Sequence, residues 1–137
     1  MKSQNTKYTT TFYFGRSTWD LYAQLTASYN ITESNTTGYN EEINLSPTLG
    51  YIISPEVVRL SSEEEKFLRE GLKMVSVKLD QNVQVQIHNI DIIDTDFQPE
   101  ALYCVVLRWA EDVFEQDYPI PPIRFDATQR RYIVTIE

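Results

Sequence analysis

Cysteine, histidine and glycine are all scarce in this chain: its 137 residues include one cysteine, one histidine and four glycines. A single cysteine, Cys104, rules out an intramolecular disulfide and a metal centre built from several thiolates. It stands among apolar neighbours, which predicts a buried, inert thiol; a catalytic thiolate would need the lone histidine, His88, as its base. Four glycines leave little material for a loop that cradles phosphate. Neither a Walker loop, nor G-x-G-x-x-G, nor G-x-S-x-G occurs. No apolar run approaches the roughly 18 residues of a membrane-spanning helix, and the opening MKSQNTKYTTT has no apolar signal core. These absences predict a cytoplasmic protein with no membrane partner. The sequons at Asn30, Asn35 and Asn44 then read as by-products of an Asn/Thr-rich segment.

Positive charge is also in deficit. Twelve Lys and Arg face twenty Asp and Glu, a formal charge of -8. That charge repels phosphate backbones and anionic membranes, which argues against nucleic acid as a partner. It maintains solubility, and it can steer a basic protein toward the surface. A hydrophobic content of 42% with 23% charged residues is that of an ordinary globular chain. The length suits a single domain over residues 1–137, with residues 1–7 expected to be disordered.

What is present is strand pattern. From Trp19 to Ile31 every odd position is apolar or aromatic, while among the even positions only Tyr22 carries a ring, so one face meets core and the other water. Tyr8 to Phe14 is β-branched and aromatic, and Gly15-Arg16-Ser17-Thr18 joins the two runs as a hairpin. Thr32 to Asn40 is crowded with turn formers and reads as an exposed loop. Glu42–Leu45 and Gly50–Ile53 are short strand candidates broken by Pro47 and closed by Pro55. Val83, Val85 and Ile87 alternate with polar residues, and then the apolar parity changes to Ile90 and Ile92. That change places a β-bulge near His88-Asn89. Ile123–Phe125 and Tyr132–Ile136 form a final hairpin after the stiff Tyr118-Pro-Ile-Pro-Pro segment.

Two helices separate these strands. Ser62-Glu63-Glu64-Glu65 reads as a capping box, with Leu68, Leu72, Val75 and Leu79 as the core stripe. Gly71 interrupts this helix and suggests a close approach to the sheet. Pro99 suits the first position of the second helix, whose stripe is Leu102, Val105, Val106, Trp109 and Val113. Tyr103, Leu107 and Phe114 widen its apolar surface, so this helix is either sandwiched or part of an interface. The order of elements predicts an α+β domain: an antiparallel sheet of about five to seven strands with two helices packed on one face.

The residues give no catalytic signature. Asp91, Asp94 and Asp96 supply three hard oxygen ligands in six residues, a metal candidate that departs from the EF-hand pattern and suits turn and helix-start roles equally. Glu111, Asp112 and Glu115 lie toward the negative end of their helix, where acids have no favourable local task. They therefore qualify, together with Tyr22 and Gln24 on the solvated sheet face, as partner-binding residues. The expected function is that of a small acidic, non-catalytic protein that recognises another protein, as inhibitors, immunity proteins and secretion chaperones do. The partner is a protein, basic by the charge argument, with a second copy of the chain as a further candidate. No cofactor is expected. The alternative is a small enzyme or metal-dependent domain using Asp91, Asp94, Asp96 and His88.

Overall fold

The structure is a computed structural model and describes residues 1–16, 19–32, 41–45, 48–55, 57, 60–92 and 98–136. The Ser17-Thr18 turn, most of the Thr32–Asn40 loop, Pro47, and Asp94 with Asp96 lie outside the described residues. The elements are β1 (Tyr8–Arg16), β2 (Trp19–Thr32), β3 (Glu41–Leu45), β4 (Thr48–Ile53), α1 (Ser62–Val77), β5 (Asn82–Asp91), α2 (Glu100–Phe114), β6 (Ile123–Asp126) and β7 (Arg131–Val134).

The fold is α+β, and its main sheet is mixed, in the order β1-β2-β5-β4-β3. The expected single antiparallel sheet is corrected in two respects. First, β4 and β5 run parallel, with Leu49 opposite Val83 and Ile53 opposite Ile87. The cause is α1, which links them: a helical crossover carries the chain back to the end where β4 began, whereas a tight turn would have reversed it. Second, β6 and β7 pair only with each other and form a separate two-stranded sheet.

The alternation in β2 places Leu21, Ala23, Leu25, Ala27 and Tyr29 in the core while the intervening residues are half-buried. The bulge falls where the parity change puts it. Thr26 faces Asn89 and Ala27 faces Ile87, so His88 is the additional residue of β5. This lets Val85, Ile87 and Ile90 all point inward.

Both helices cover the same face. Twelve of the fifteen residues of α2 are buried, because the helix is sandwiched between β1 and β2 on one side and α1 on the other. Gly71 makes the close approach expected of it, but to α2 rather than to the sheet. A Cβ there would stand 3.0 Å from Val106 Cβ and 3.1 Å from the Tyr103 carbonyl oxygen. The capping box is shifted by one residue from the expected position. Ser61 is the N-cap: its Oγ accepts the Glu64 N–H at 3.1 Å, and Glu64 Oε1 accepts the Ser61 N–H at 2.7 Å. Pro99 occupies the N-cap of α2, one position before its expected place.

Residues 1–7, expected to be disordered, run beside β2 and the end of α2. The Lys2 N–H donates to the Val113 carbonyl at 2.7 Å and the Asn5 N–H to the Tyr29 carbonyl at 2.8 Å. The Tyr29 hydroxyl donates to the Lys2 carbonyl. Among the described residues, no helix is long and apolar enough to cross a membrane.

Candidate functional site

The sheet face opposite the helices carries Tyr22 and Gln24, and its polar side chains bond to one another. Gln24 Nε2 donates to Thr11 Oγ1 at 3.0 Å, Thr9 and Thr26 hydroxyls lie 2.7 Å apart, and Ser28 Oγ lies 2.7 Å from His88 Nε2. The Tyr22 hydroxyl lies 3.5 Å from Asp91 Oδ2. Burial, with Asp91 beside it, pushes the Tyr22 phenol above its usual range. Cross-strand pairs of this kind satisfy a solvated face from within.

The acidic trio expected to lack a local task has one at every position. Glu111 Oε2 accepts the Tyr118 N–H at 3.2 Å, while Glu111 Oε1 lies 3.7 Å from Arg108. Asp112 pairs with Lys2 Nζ at 2.9 Å and Glu115 with the α-amino group at 2.8 Å. The reason is tertiary: the N-terminal segment returns to the end of α2 and places positive groups where the helix dipole alone would disfavour acids.

Of the residues proposed for chemistry, Asp91, His88 and Cys104 are among the described residues. Asp91 is exposed at the end of β5, and Asp94 and Asp96 are outside the described residues. Among the described residues, no three His, Cys, Asp or Glu side chains are grouped to hold a metal ion. Cys104 is buried in α2, on the inner side of the sheet, while His88 bonds to Ser28 on the outer side. Burial pushes the Cys104 thiol up to about 12, so it stays protonated at neutral pH.

The feature that stands out is aromatic. Tyr13 is 57% exposed, Phe14 40% and Phe125 40%, and these three, with Gly15 and Tyr132, line an open cleft of about 500 Å³. Phe14 meets Tyr132 edge-on at 5.5 Å and Phe125 meets Tyr132 at 5.1 Å, so one buried ring supports two exposed ones. Consecutive residues of a strand point to opposite faces. A cleft that touches Tyr13, Phe14 and Gly15 in succession therefore wraps the end of β1 rather than one face of the sheet, and the β6–β7 hairpin forms its far wall.

No model of a known protein family matches this chain, and neither does any curated protein sequence.

The cleft residues thus stand on their geometry. The hairpin is held there by Gln98, whose Nε2 donates to the Tyr132 carbonyl at 2.8 Å and whose Oε1 accepts the Tyr132 N–H at 2.6 Å. Arg131 Nη2 bonds Glu100 Oε2 at 2.5 Å and ties the same strand to the start of α2. Sequence reasoning assigned Tyr13 and Phe14 to a strand but not to a site. The available signal was adjacent aromatics in β1, which cannot both face a core. That Phe125 and Tyr132 line the same cleft required the tertiary structure.

Proposed function

We propose that this chain is a non-catalytic α+β domain that recognises another protein at the cleft between the end of β1 and the β6–β7 hairpin. One observation carries the reading: Tyr13, Phe14 and Phe125 leave aromatic surface in water around a single opening. Exposed aromatic surface gathered in one place marks an interaction site, and tyrosine and phenylalanine are enriched where interfaces bury their anchors. The opening, about 500 Å³, suits one or two apolar side chains of a partner. Such a domain acts by occupancy, in the way that inhibitors, immunity proteins and secretion chaperones do. A cytoplasmic setting suits a chain whose single cysteine is a buried thiol.

The test is position-dependent photocrosslinking in the native host, with benzoylphenylalanine placed at Phe125 and, as a control, at Val77 on α1. The expected result is a defined adduct from position 125 alone that disappears when Tyr13→Asp is added. Adducts of equal yield from both positions, or none from position 125, would overturn the reading.

A further inference from the structure

The β6–β7 hairpin has two unlike faces. In its register Ile123 stands opposite Val134 and Phe125 opposite Tyr132, while Arg124 stands opposite Ile133 and Asp126 opposite Arg131. Opposed residues share a face and consecutive ones do not, so one face is wholly apolar and the other carries the charges. Phe125 and Tyr132 line the cleft, which puts the apolar face there and leaves Arg124, Asp126 and Arg131 on the face turned away. Arg131 is also held by Glu100, and Asp126 accepts the N–H groups of Thr128 and Gln129. On the other side of the cleft, where β1 ends, Gly15 stands opposite Asp20 and Arg16 opposite Trp19, one acid and one base.

Among the described residues, the lining of the cleft is therefore aromatic and uncharged. Its rings are not stacked: Phe14 and Tyr132 cross at 85° and Phe125 and Tyr132 at 63°, so they form walls of different orientation around one opening. An aromatic ring is negative over its faces, and Tyr13, Phe14 and Phe125 leave much of their surface in water. Rings placed in this way attract a cation without a carboxylate among them. The formal charge of -8 adds to that attraction at long range by steering a basic segment toward the surface. Arginine is the cation that fits an open cleft. Its guanidinium is planar, stacks on aromatic faces and is more weakly hydrated than an ammonium, so it loses less on leaving water, and its methylene stem supplies the apolar contact.

We infer that the partner docks through a basic segment and seats an arginine side chain among Tyr13, Phe14 and Phe125. The ring faces supply selectivity for the charged head, and the stem fills the apolar part of the opening. The inference rests on the reading of the cleft as a protein-recognition site, and it adds the chemistry of the side chain that enters.

The test titrates three peptides with blocked ends into the isotope-labelled protein and follows the backbone amides of Tyr13, Phe14, Gly15, Phe125 and Tyr132 by NMR. The first is Gly-Ser-Arg-Ser-Gly, the second has citrulline, the neutral isostere, in place of arginine, and the third has leucine there. The arginine peptide is expected to shift the cleft amides at millimolar concentration and to be the tightest of the three. It should bind about fivefold more tightly than the citrulline peptide, the effect of one cation–π contact. Tyr13→Leu with Phe125→Leu keeps apolar bulk but removes two rings, and should abolish that preference; the same spectra report that the variant is folded. Citrulline or leucine binding as tightly as arginine would overturn the inference. So would a preference that survives the double variant, or shifts confined to residues away from the cleft, since either assigns the arginine to acids elsewhere on the surface. If no peptide shifts the cleft amides at millimolar concentration while the Phe125 crosslink still forms, the inference fails and the recognition reading survives.

Discussion

Trp109 and Cys104 show how single residues of α2 are fixed by what surrounds them. Trp109 is 1% exposed, meets Phe114 edge-on at 5.5 Å, and donates its indole N–H to the Tyr8 carbonyl at 3.2 Å. It thus fills the core and also ties α2 to the beginning of β1. Trp109→Ala should lower stability by about 3 to 5 kcal/mol, measured by urea denaturation, because the cavity and the orphaned carbonyl add to the lost burial. Cys104 makes a pH prediction. Burial raises its thiol from 9.0 to about 12, so the folded state keeps the proton that the unfolded chain releases first. Stability from this group is complete below the unfolded value and is lost as pH rises toward the folded one. The slope is about 1.4 kcal/mol per pH unit. Between pH 8 and 9, below the ordinary phenol value of 10.0 from which the buried Tyr29, Tyr103 and Tyr118 side chains begin to contribute, the urea midpoint should fall with pH in the native chain and much less in Cys104→Ala.

At the scale of elements, the start and the middle of α1 were only partly legible. Ser61 and Ser62 are both followed three residues later by glutamate, so the pattern admits two capping boxes, and the observed one begins at Ser61. Ser61→Ala should lose about 1 kcal/mol, whereas Ser62→Ala, inside the first turn, should lose little; thermal melts of the two variants compare them directly. Gly71→Ala sets two effects against each other. Alanine gains about 1 kcal/mol of helix propensity, but its methyl would press on Val106 and on the Tyr103 carbonyl of a buried helix at 3.0 and 3.1 Å. Overpacking of this kind costs about 1 to 3 kcal/mol, so the variant should be net less stable; a raised urea midpoint would mean that α1 slides freely on α2. The bulge at His88 was legible, because a parity change in an otherwise regular strand has few other backbone solutions.

For the whole molecule, the β6–β7 hairpin is the element whose attachment shapes the candidate site. It docks through Gln98, the Arg131–Glu100 pair and the rings of Phe14 and Tyr132. Arg131→Ala leaves the largely buried Glu100 carboxylate unpaired and should destabilise by about 1 to 3 kcal/mol. Arg131→Ala with Glu100→Gln should recover part of that loss, and hydrogen exchange in β7 should report the change before the main sheet does. The sequence by itself determined the α+β class, the alternating faces of β2, the core stripes of both helices and the burial of Cys104, since each follows from periodicity within one segment. Only the tertiary structure decided that β4 and β5 are parallel, that Gly71 meets α2, that Glu111, Asp112 and Glu115 have local partners, and that Tyr13 and Phe14 share a cleft with Phe125 and Tyr132. Each of these joins residues from distant parts of the chain, and the pattern within a segment records which face is apolar but not which other segment covers it.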